Sequence, residues 1–261
     1  MIDVGLTVVI PCFDEAGNVG PLLEALDRER ERAIPGLRVV LVDDGSRDGT
    51  WDALVAARDA VPQLPVGGVR FEKRSGQSAA LWAGLQQVET PFAATMDGDL
   101  QNDPADLERL VQRALADGVD VVCGYRADRK DRWSRRAASR LANGLRRRVT
   151  GDGVRDTGCS LKVFRAECIG DLPPYRGMHR FMPAWFGVHG RSVEEQAVGH
   201  HPRLEGKSKY TNLGRLPVTL VDLWAFSWVR KRLVKGPIRE QLPVVAAGES
   251  EGVPLTVDES A

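Results

Sequence analysis

The sequence predicts an α/β fold with a mainly parallel central sheet flanked by helices, and three observations carry that prediction. Short runs such as Leu6–Ile10 and Val39–Val42 are β-branched and apolar without alternation, as strands covered on both faces require. Segments with helical spacing of apolar residues separate those runs, and strands alternating with helices build a parallel sheet. The runs also stop abruptly at acidic residues, and ligands of such sheets sit outside the carboxyl ends of the strands.

Taken in order, Leu6–Ile10 is the first strand and ends at Pro11, Cys12, Phe13, Asp14 and Glu15. Asn18 is expected to cap the first helix, with Pro21 in its first turn and Leu22, Leu23 and Leu26 on its inner side. Val39–Val42 is the second strand, ending in Asp43, Asp44, Gly45 and Ser46, and Asp48 is expected to cap a helix over Trp51–Ala60. A third strand, Val69–Phe71, leads through Lys73, Arg74, Ser75, Gly76 and Gln77 into a helix reaching Val88. The fourth, Phe92–Met96, stops at Asp97, Gly98 and Asp99 before Asp103 and Pro104 open a helix to Ala116, and Val119–Gly124 is the fifth.

The fourth strand end holds the candidate chemistry. Residues i and i+2 of an extended segment project to one side, and Gly98 permits a tight turn, so Asp97 and Asp99 can converge on one hard cation. Mg²⁺ or Mn²⁺ bridging a diphosphate suits two carboxylates. A lone Asp-x-Asp is more often a solvated strand cap, just as Asp14 or Glu15 can face a helix dipole and Asp43–Ser46 can form an ordinary turn. Glu15, Asp44 and the Asp97/Asp99 pair nevertheless fall at one sheet edge, where carboxylates repel unless a cation or hydrogen-bond donors compensate.

Composition limits the alternatives. The 261 residues hold 36 lysines and arginines against 36 aspartates and glutamates, so no overall field attracts nucleic acid or membrane. Cys12, Cys123, Cys159 and Cys168 lack CxxC spacing and lie in or beside apolar runs, which favours buried reduced thiols over disulfides or zinc. His179, His189, His200 and His201 lack metal-ligand spacing too. The first residues show no basic region followed by an apolar one, as a secretory signal would, and there is no apolar stretch of about 18 residues to span a bilayer. These features lead to an expectation of a cytoplasmic protein.

In order along the chain, VVIPCFDEAGNV, LVDDGSRDGT, RSGQSAALWAGL, MDGDLQNDP, VCGYR, RDTGCSLKVFR, HRFMPA and RLEGKSKY resemble family 2 glycosyltransferases of GT-A fold. Within them the resemblance is greatest to the polyprenyl-phosphate branch, which includes dolichyl-phosphate mannose synthases and undecaprenyl-phosphate sugar transferases, and it runs from about Leu6 to about Val234. It implies that Pro11, Phe13, Glu15, Val42 and Asp44 hold the nucleoside, and that Asp97, Gly98, Asp99 and Gln101 hold the diphosphate, with Asp97, Asp99 and Gln101 on the metal. The branch usually has alanine where this chain has Gly98, and often tyrosine where it has Phe13. It also usually has proline or glycine with an aromatic where this chain has Cys159, Ser160 and Leu161.

Between Arg126 and Arg148 basic residues crowd against only Asp128 and Asp131. Composition alone reads as a solvated helix. Arg135 and Ser139, four apart, share a helical face that can grip a phosphate. The resemblance implies that they hold a lipid phosphate, with Arg126 near the donor diphosphate. Nucleic acid is disfavoured by the neutral total and the lack of interleaved aromatics. Asp156 reads either as a turn carboxylate pairing with Arg155 or another arginine, or as a positioning group near the acceptor. A phosphate nucleophile is already ionised and needs no strong base. Arg203 and Lys209, in a glycine-containing loop, resemble the cations that close over the donor diphosphate and stabilise the leaving group.

Leu216–Val229 is apolar, carries Trp224 and Trp228, and is followed by Arg230, Lys231 and Arg232. It reads as a core helix or as an amphipathic helix in the membrane interface, and its basic flank favours the second. The expected organisation is a GT-A domain over 1–210 (nucleotide half about 1–105, acceptor half about 106–210), an interface helix region at 211–236 and a disordered tail at 237–261. Bacterial relatives often continue into two spanning helices, so anchoring through a separate membrane protein is a further expectation.

The function that the resemblance implies is inverting, metal-dependent transfer of a sugar from a UDP- or GDP-linked donor to polyprenyl phosphate at the cytoplasmic membrane face, by a protein peripheral on the inner face of the membrane, with Asp99, Asp156, Arg203 and Lys209 serving the reaction. The rivals are a family 2 transferase with a soluble or polysaccharide acceptor, a nucleotidyltransferase, and a noncatalytic membrane adaptor.

Overall fold

The computed structural model of the chain describes residues 1–126, 144, 146–201 and 215–233. Seven strands form one sheet: β1 (Gly5–Cys12), β2 (Gly36–Asp43), β3 (Val66–Arg70), β4 (Phe92–Thr95), β5 (Val121–Arg126), β6 (Lys162–Arg165) and β7 (Val193–Val198). Their order across the sheet is β3-β2-β1-β4-β6-β5-β7. All pairings are parallel except those of β6, which runs antiparallel between β4 and β5. The expectation of a mainly parallel sheet flanked by helices is borne out.

Six labelled helices accompany it: α1 (Ala16–Arg32), α2 (Thr50–Ala60), α3 (Gln77–Leu85), α4 (Asp106–Ala116), α5 (Met182–Val188) and α6 (Arg215–Arg230). Because successive strand residues face opposite sides, β1 serves two cores. Leu6, Val8 and Ile10 pack with Leu22, Leu23 and Leu26 of α1 and Leu107 and Leu110 of α4. Val9 points the other way, into a core with Leu81, Phe164, Trp185, Phe186 and Phe226. Each such fully buried leucine or phenylalanine contributes roughly 1.5–3 kcal/mol. Continuous apolar runs in the strands are the direct consequence of two covered faces.

Several local expectations are corrected. Asn18 does not cap α1: it lies inside the first turn, and its amide donates to Glu15 Oε2 at 2.5 Å. The Ala16 N–H is satisfied from another loop, by Asp48 Oδ2 at 3.0 Å, so the cap is tertiary. Pro21 is the sixth helical residue, one turn later than expected. Asp48 also accepts from the Thr50 N–H at 3.0 Å, so it serves the start of both α1 and α2. β3 begins at Val66 because its parallel register on β2 runs from Val39↔Val66, and α3 ends at Leu85 rather than Val88. The strand β7 and the helix α5 were not anticipated.

The last helix has two apolar faces. Leu223 and Phe226 are buried, with the Phe226 ring stacked on Phe181 at 5.5 Å and edge-on to Trp185 at 4.8 Å. Val221, Trp224 and Trp228 remain 62%, 67% and 47% exposed. The core-helix reading therefore holds for one face, and the other face is exposed. No helix among the described residues is long and apolar enough to cross a membrane. All four cysteines are buried and free of disulfides.

Candidate active site

The carboxyl ends of β1, β2 and β4 meet at one edge, and hydrogen bonds sew their loops together. The Asp14 N–H donates to Ser46 Oγ and the Arg47 N–H donates to Asp14 Oδ1, both at 2.9 Å. The Glu15 N–H donates to Thr50 Oγ1 at 2.9 Å. Asp44 accepts from the Ser75 N–H at 2.6 Å and from the Gly76 N–H at 2.8 Å, so its carboxylate clasps the loop entering α3. Gly45 is required there: its φ is +70°, and a Cβ would lie 2.5 Å from the Lys73 carbonyl carbon. The outcome is a rigid rim in which the Arg74 guanidinium lies 4.1 Å from the centre of the Phe13 ring. Pro11 and Val42 close β1 and β2 just beneath, Val42 fully buried.

The acid pair follows β4 in a turn, not as an extended segment. The strand ends at Thr95, residues 98 and 99 turn, and Leu100 adopts φ 59°. The turn keeps Asp99 near enough to Asp97 for the two carboxylates to repel. Asp99 is buried and accepts from the Gln101 N–H at 3.2 Å, while Gln101 Nε2 lies 3.5 Å from the His201 carbonyl oxygen. Gly98 has a steric reason to be glycine, since a Cβ would sit 2.6 Å from Cys12 Sγ.

Asp97 is half-buried, and its Oδ1 accepts from Gln77 Nε2 at 3.1 Å. Burial pushes its carboxyl above the usual range, repulsion from Asp99 adds to that, and a hydrogen bond from Ser160 with the charges of Lys162 and Arg126 pulls the other way. Lys162 is itself buried, donates to the Cys159 carbonyl, and sits opposite Thr95 in the β4–β6 register. Ser160 Oγ also accepts from Asn102 Nδ2 at 2.8 Å. Two carboxylates and a neighbouring amide, under electrostatic strain from burial, form an oxygen donor set that fits Mg²⁺ or Mn²⁺.

Arg126, at the end of β5, is joined to Asp156 through two parallel bonds, Nε to Oδ2 at 2.7 Å and Nη2 to Oδ1 at 2.9 Å. Arg155 is not the partner of Asp156: it pairs with Glu195 and lies over Tyr125. The fold therefore brings Pro11, Phe13, Glu15, Val42, Asp44, Asp97, Gly98, Asp99, Gln101, Arg126 and Asp156 to one edge. Arg135, Ser139, Arg203 and Lys209 lie outside the described residues. Sequence reasoning missed Gln77, Ser160 and Lys162 as neighbours of Asp97. The motifs RSGQ and CSLK contain them, but only the antiparallel insertion of β6 beside β4 delivers Ser160 and Lys162.

The family model for glycosyl transferase family 2 matches residues 7–172. The chain belongs to that family. Among its relatives, dodecaprenyl-phosphate galacturonate synthase of Rhizobium johnstonii is 40% identical over 84% of this chain and 65% of its own length. Undecaprenyl-phosphate 4-deoxy-4-formamido-L-arabinose transferase of Pseudomonas aeruginosa is 38% identical over 84% of this chain and 63% of its own length. The chain thus spans somewhat less than two thirds of these curated relatives. Of solved structures with a similar fold, a Pyrobaculum calidifontis mannosyltransferase in complex with GDP-Man and Mn²⁺ covers 91% of this chain and 67% of its own, with TM-score 0.63 and 18% identity. Glucosyl-3-phosphoglycerate synthase of Mycobacterium tuberculosis, in complex with Mn²⁺, UDP and phosphoglyceric acid, covers 89% and 80%, with TM-score 0.65 and 18% identity. The fold is that of GT-A glycosyltransferases.

Proposed function

We propose that this family 2 protein transfers a sugar, with inversion, from a nucleoside diphosphate sugar to a polyprenyl phosphate at the cytoplasmic face of a membrane. The observation that carries the reading is the Asp97/Asp99 turn, with Gln77, Ser160, Lys162 and Arg126 gathered around it. The names of the two relatives supply the acceptor class: both carry a polyprenyl phosphate. The donor carrier is a uridine or guanosine diphosphate.

Asp97 and Asp99, with Gln101, would hold Mg²⁺ or Mn²⁺. A bound divalent ion supplies charge neutralisation on the donor diphosphate. Phe13 with Arg74 above it offers a flat wall for the nucleoside, beside Glu15 and Asp44. Arg126, locked in plane by Asp156, presents a fixed positive group close to the acids, so Asp156 acts by positioning. Arg203 and Lys209 are assigned to the departing diphosphate, and Arg135 and Ser139 to the lipid phosphate. An oxygen of the lipid phosphate forms the new bond to the anomeric carbon. The bond from that carbon to the diphosphate oxygen breaks, and its electron pair leaves with the nucleoside diphosphate. The nucleophile is already an anion, so no proton need be removed.

The exposed Val221, Trp224 and Trp228, with Arg232 stacked 4.3 Å over Trp228, fit a surface that rests on lipid headgroups. Anchoring by a separate membrane protein belongs to the same reading. The test is turnover of a panel of UDP- and GDP-sugars with a short-chain polyprenyl phosphate and Mn²⁺. Release of nucleoside diphosphate together with a glycosylated lipid supports it, whereas transfer only to soluble acceptors, or release of pyrophosphate, overturns it.

A further inference from the structure

Leu100 lies inside the acid turn with φ 59°, in the left-handed region that a bulky side chain rarely adopts. Backbone of that kind persists only where its surroundings over-determine it. One such constraint runs through Ser160, whose Oγ accepts from Asn102 Nδ2 at 2.8 Å and whose hydroxyl also hydrogen-bonds Asp97. Asp97 stands three residues before Leu100, and Asn102 two residues after it. A single hydroxyl therefore joins the two ends of the turn.

Ser160 is itself fixed by the sheet. Thr95 Oγ1 donates to the Ser160 carbonyl oxygen at 2.6 Å, the Lys162 ammonium donates to the Cys159 carbonyl, and Thr95 and Lys162 are register partners between β4 and β6. Thr95, Asn102 and Lys162 are all buried. A serine hydroxyl has one hydrogen and two lone pairs, so with the Asn102 amide on a lone pair its hydrogen is left for the Asp97 carboxylate. Gln77 Nε2 holds Asp97 from the α3 side at 3.1 Å, so that carboxylate is gripped by two separate elements. Bonds of this kind to a ligating carboxylate orient it and tune affinity for the ion.

We propose that Ser160 is a positioning residue for the metal centre: by joining Asp97 to Asn102 it holds the Asp97–Asp99 turn in the shape that a divalent ion requires. This rests on the reading of Asp97 and Asp99 as metal ligands given above. Ser160 acts through Asp97, so it governs how well the metal complex of a nucleotide binds and leaves recognition of the nucleoside alone.

The experiment measures by calorimetry the dissociation constants of UDP and GDP for the full chain and its variants, once with Mn²⁺ and once with EDTA. The wild type should bind at least one nucleotide more tightly with Mn²⁺. In S160A that nucleotide should weaken about tenfold with Mn²⁺ and change less than about twofold in EDTA. N102A should behave alike, and S160A/N102A should bind no more weakly than the weaker single variant, because both changes open the same link. S160T keeps the hydroxyl and should bind more tightly than S160A when Mn²⁺ is present. Equal weakening with and without metal, no weakening, additive losses in the double variant, or threonine no better than alanine overturns the proposal and leaves the Asn102–Ser160 bond a structural tie. Thermal unfolding midpoints identify a single variant that fails to fold, and the other then decides by the same pair of constants; failure of both to fold makes the network purely structural and overturns the proposal. A wild type whose nucleotide affinity ignores Mn²⁺ sinks the metal reading first and the inference with it, whereas a responsive wild type with equally responsive variants sinks the inference alone.

Discussion

Asp97 and Asp99 follow β4 at the carboxyl edge of the sheet, while Asp120 precedes β5 at the amino edge, where its carboxylate, Glu167 and Cys168 have ligand-type atoms within 4.8 Å of one another. By residue type the second group looks at least as fit for a metal as the first. Its surroundings say otherwise. Asp120 Oδ2 accepts from both the N–H and the hydroxyl of Ser192 at 2.8 Å, and Arg191 takes Glu167 at 2.8 Å and Asp171 at 2.7 Å. Burial would raise the Asp120 carboxyl, but the Ser192 bonds, with Arg191 and Arg165 nearby, hold it below the ordinary range. At the other edge, burial and Asp99 raise Asp97 in spite of Lys162 and Arg126, and Arg126 is already bound to Asp156. A cluster of acids reads as a site when the chain leaves its charge under-compensated, and as architecture when arginines and hydroxyls neutralise it.

Substitutions sharpen or break that contrast. The largest effect is expected for Asp99→Ala: turnover should fall about a thousandfold or more, roughly 4 kcal/mol of transition-state stabilisation, with the unfolding midpoint nearly unchanged. Calorimetry showing unaltered Mn²⁺-dependent nucleotide binding would dismantle the site assignment. Next comes Gly98→Ala, whose new methyl meets Cys12 Sγ; overpacking of that kind costs about 1–3 kcal/mol. Adding Cys12→Ala should restore most of the stability and metal affinity, and a double variant no better than the single one would locate the clash elsewhere.

Asp120→Asn should cost about 1–2 kcal/mol in a urea titration through its lost Ser192 bonds, with donor affinity untouched. The signs of the two pH dependences also differ. Because the folded Asp120 value is lowered, its stabilisation is full above the unfolded value of about 3.9 and disappears as pH falls through the folded one. Asp97, raised, favours folding at low pH, and that contribution fades as pH climbs through its folded value. The acid limb of the stability curve should therefore flatten in Asp120→Asn. The smallest effect on folding belongs to the exposed face of α6: Trp224→Ala should stay within about 0.5 kcal/mol of the parent while lowering retention on anionic liposomes in a sedimentation assay. Unchanged retention would remove that face from the membrane reading.

Local signals made much of this molecule legible. Apolar runs without alternation marked β1, β2, β4 and β5, their abrupt acidic ends marked the working edge, and the family motifs assigned Asp97, Asp99, Arg126 and Asp156 to it. What depended on distant partners was not legible: the cap that Asp48 supplies to α1, the reversal of β6, the loop clasp by Asp44, and the two faces of α6. Periodicity and turn chemistry act over a few neighbours, so they determine where strands and helices form and where acids stand. Whether an acid is neutralised, as Asp120 is, or left strained, as Asp97 is, depends on residues brought from up to about a hundred positions away, and only packing of the whole chain decides who those neighbours are.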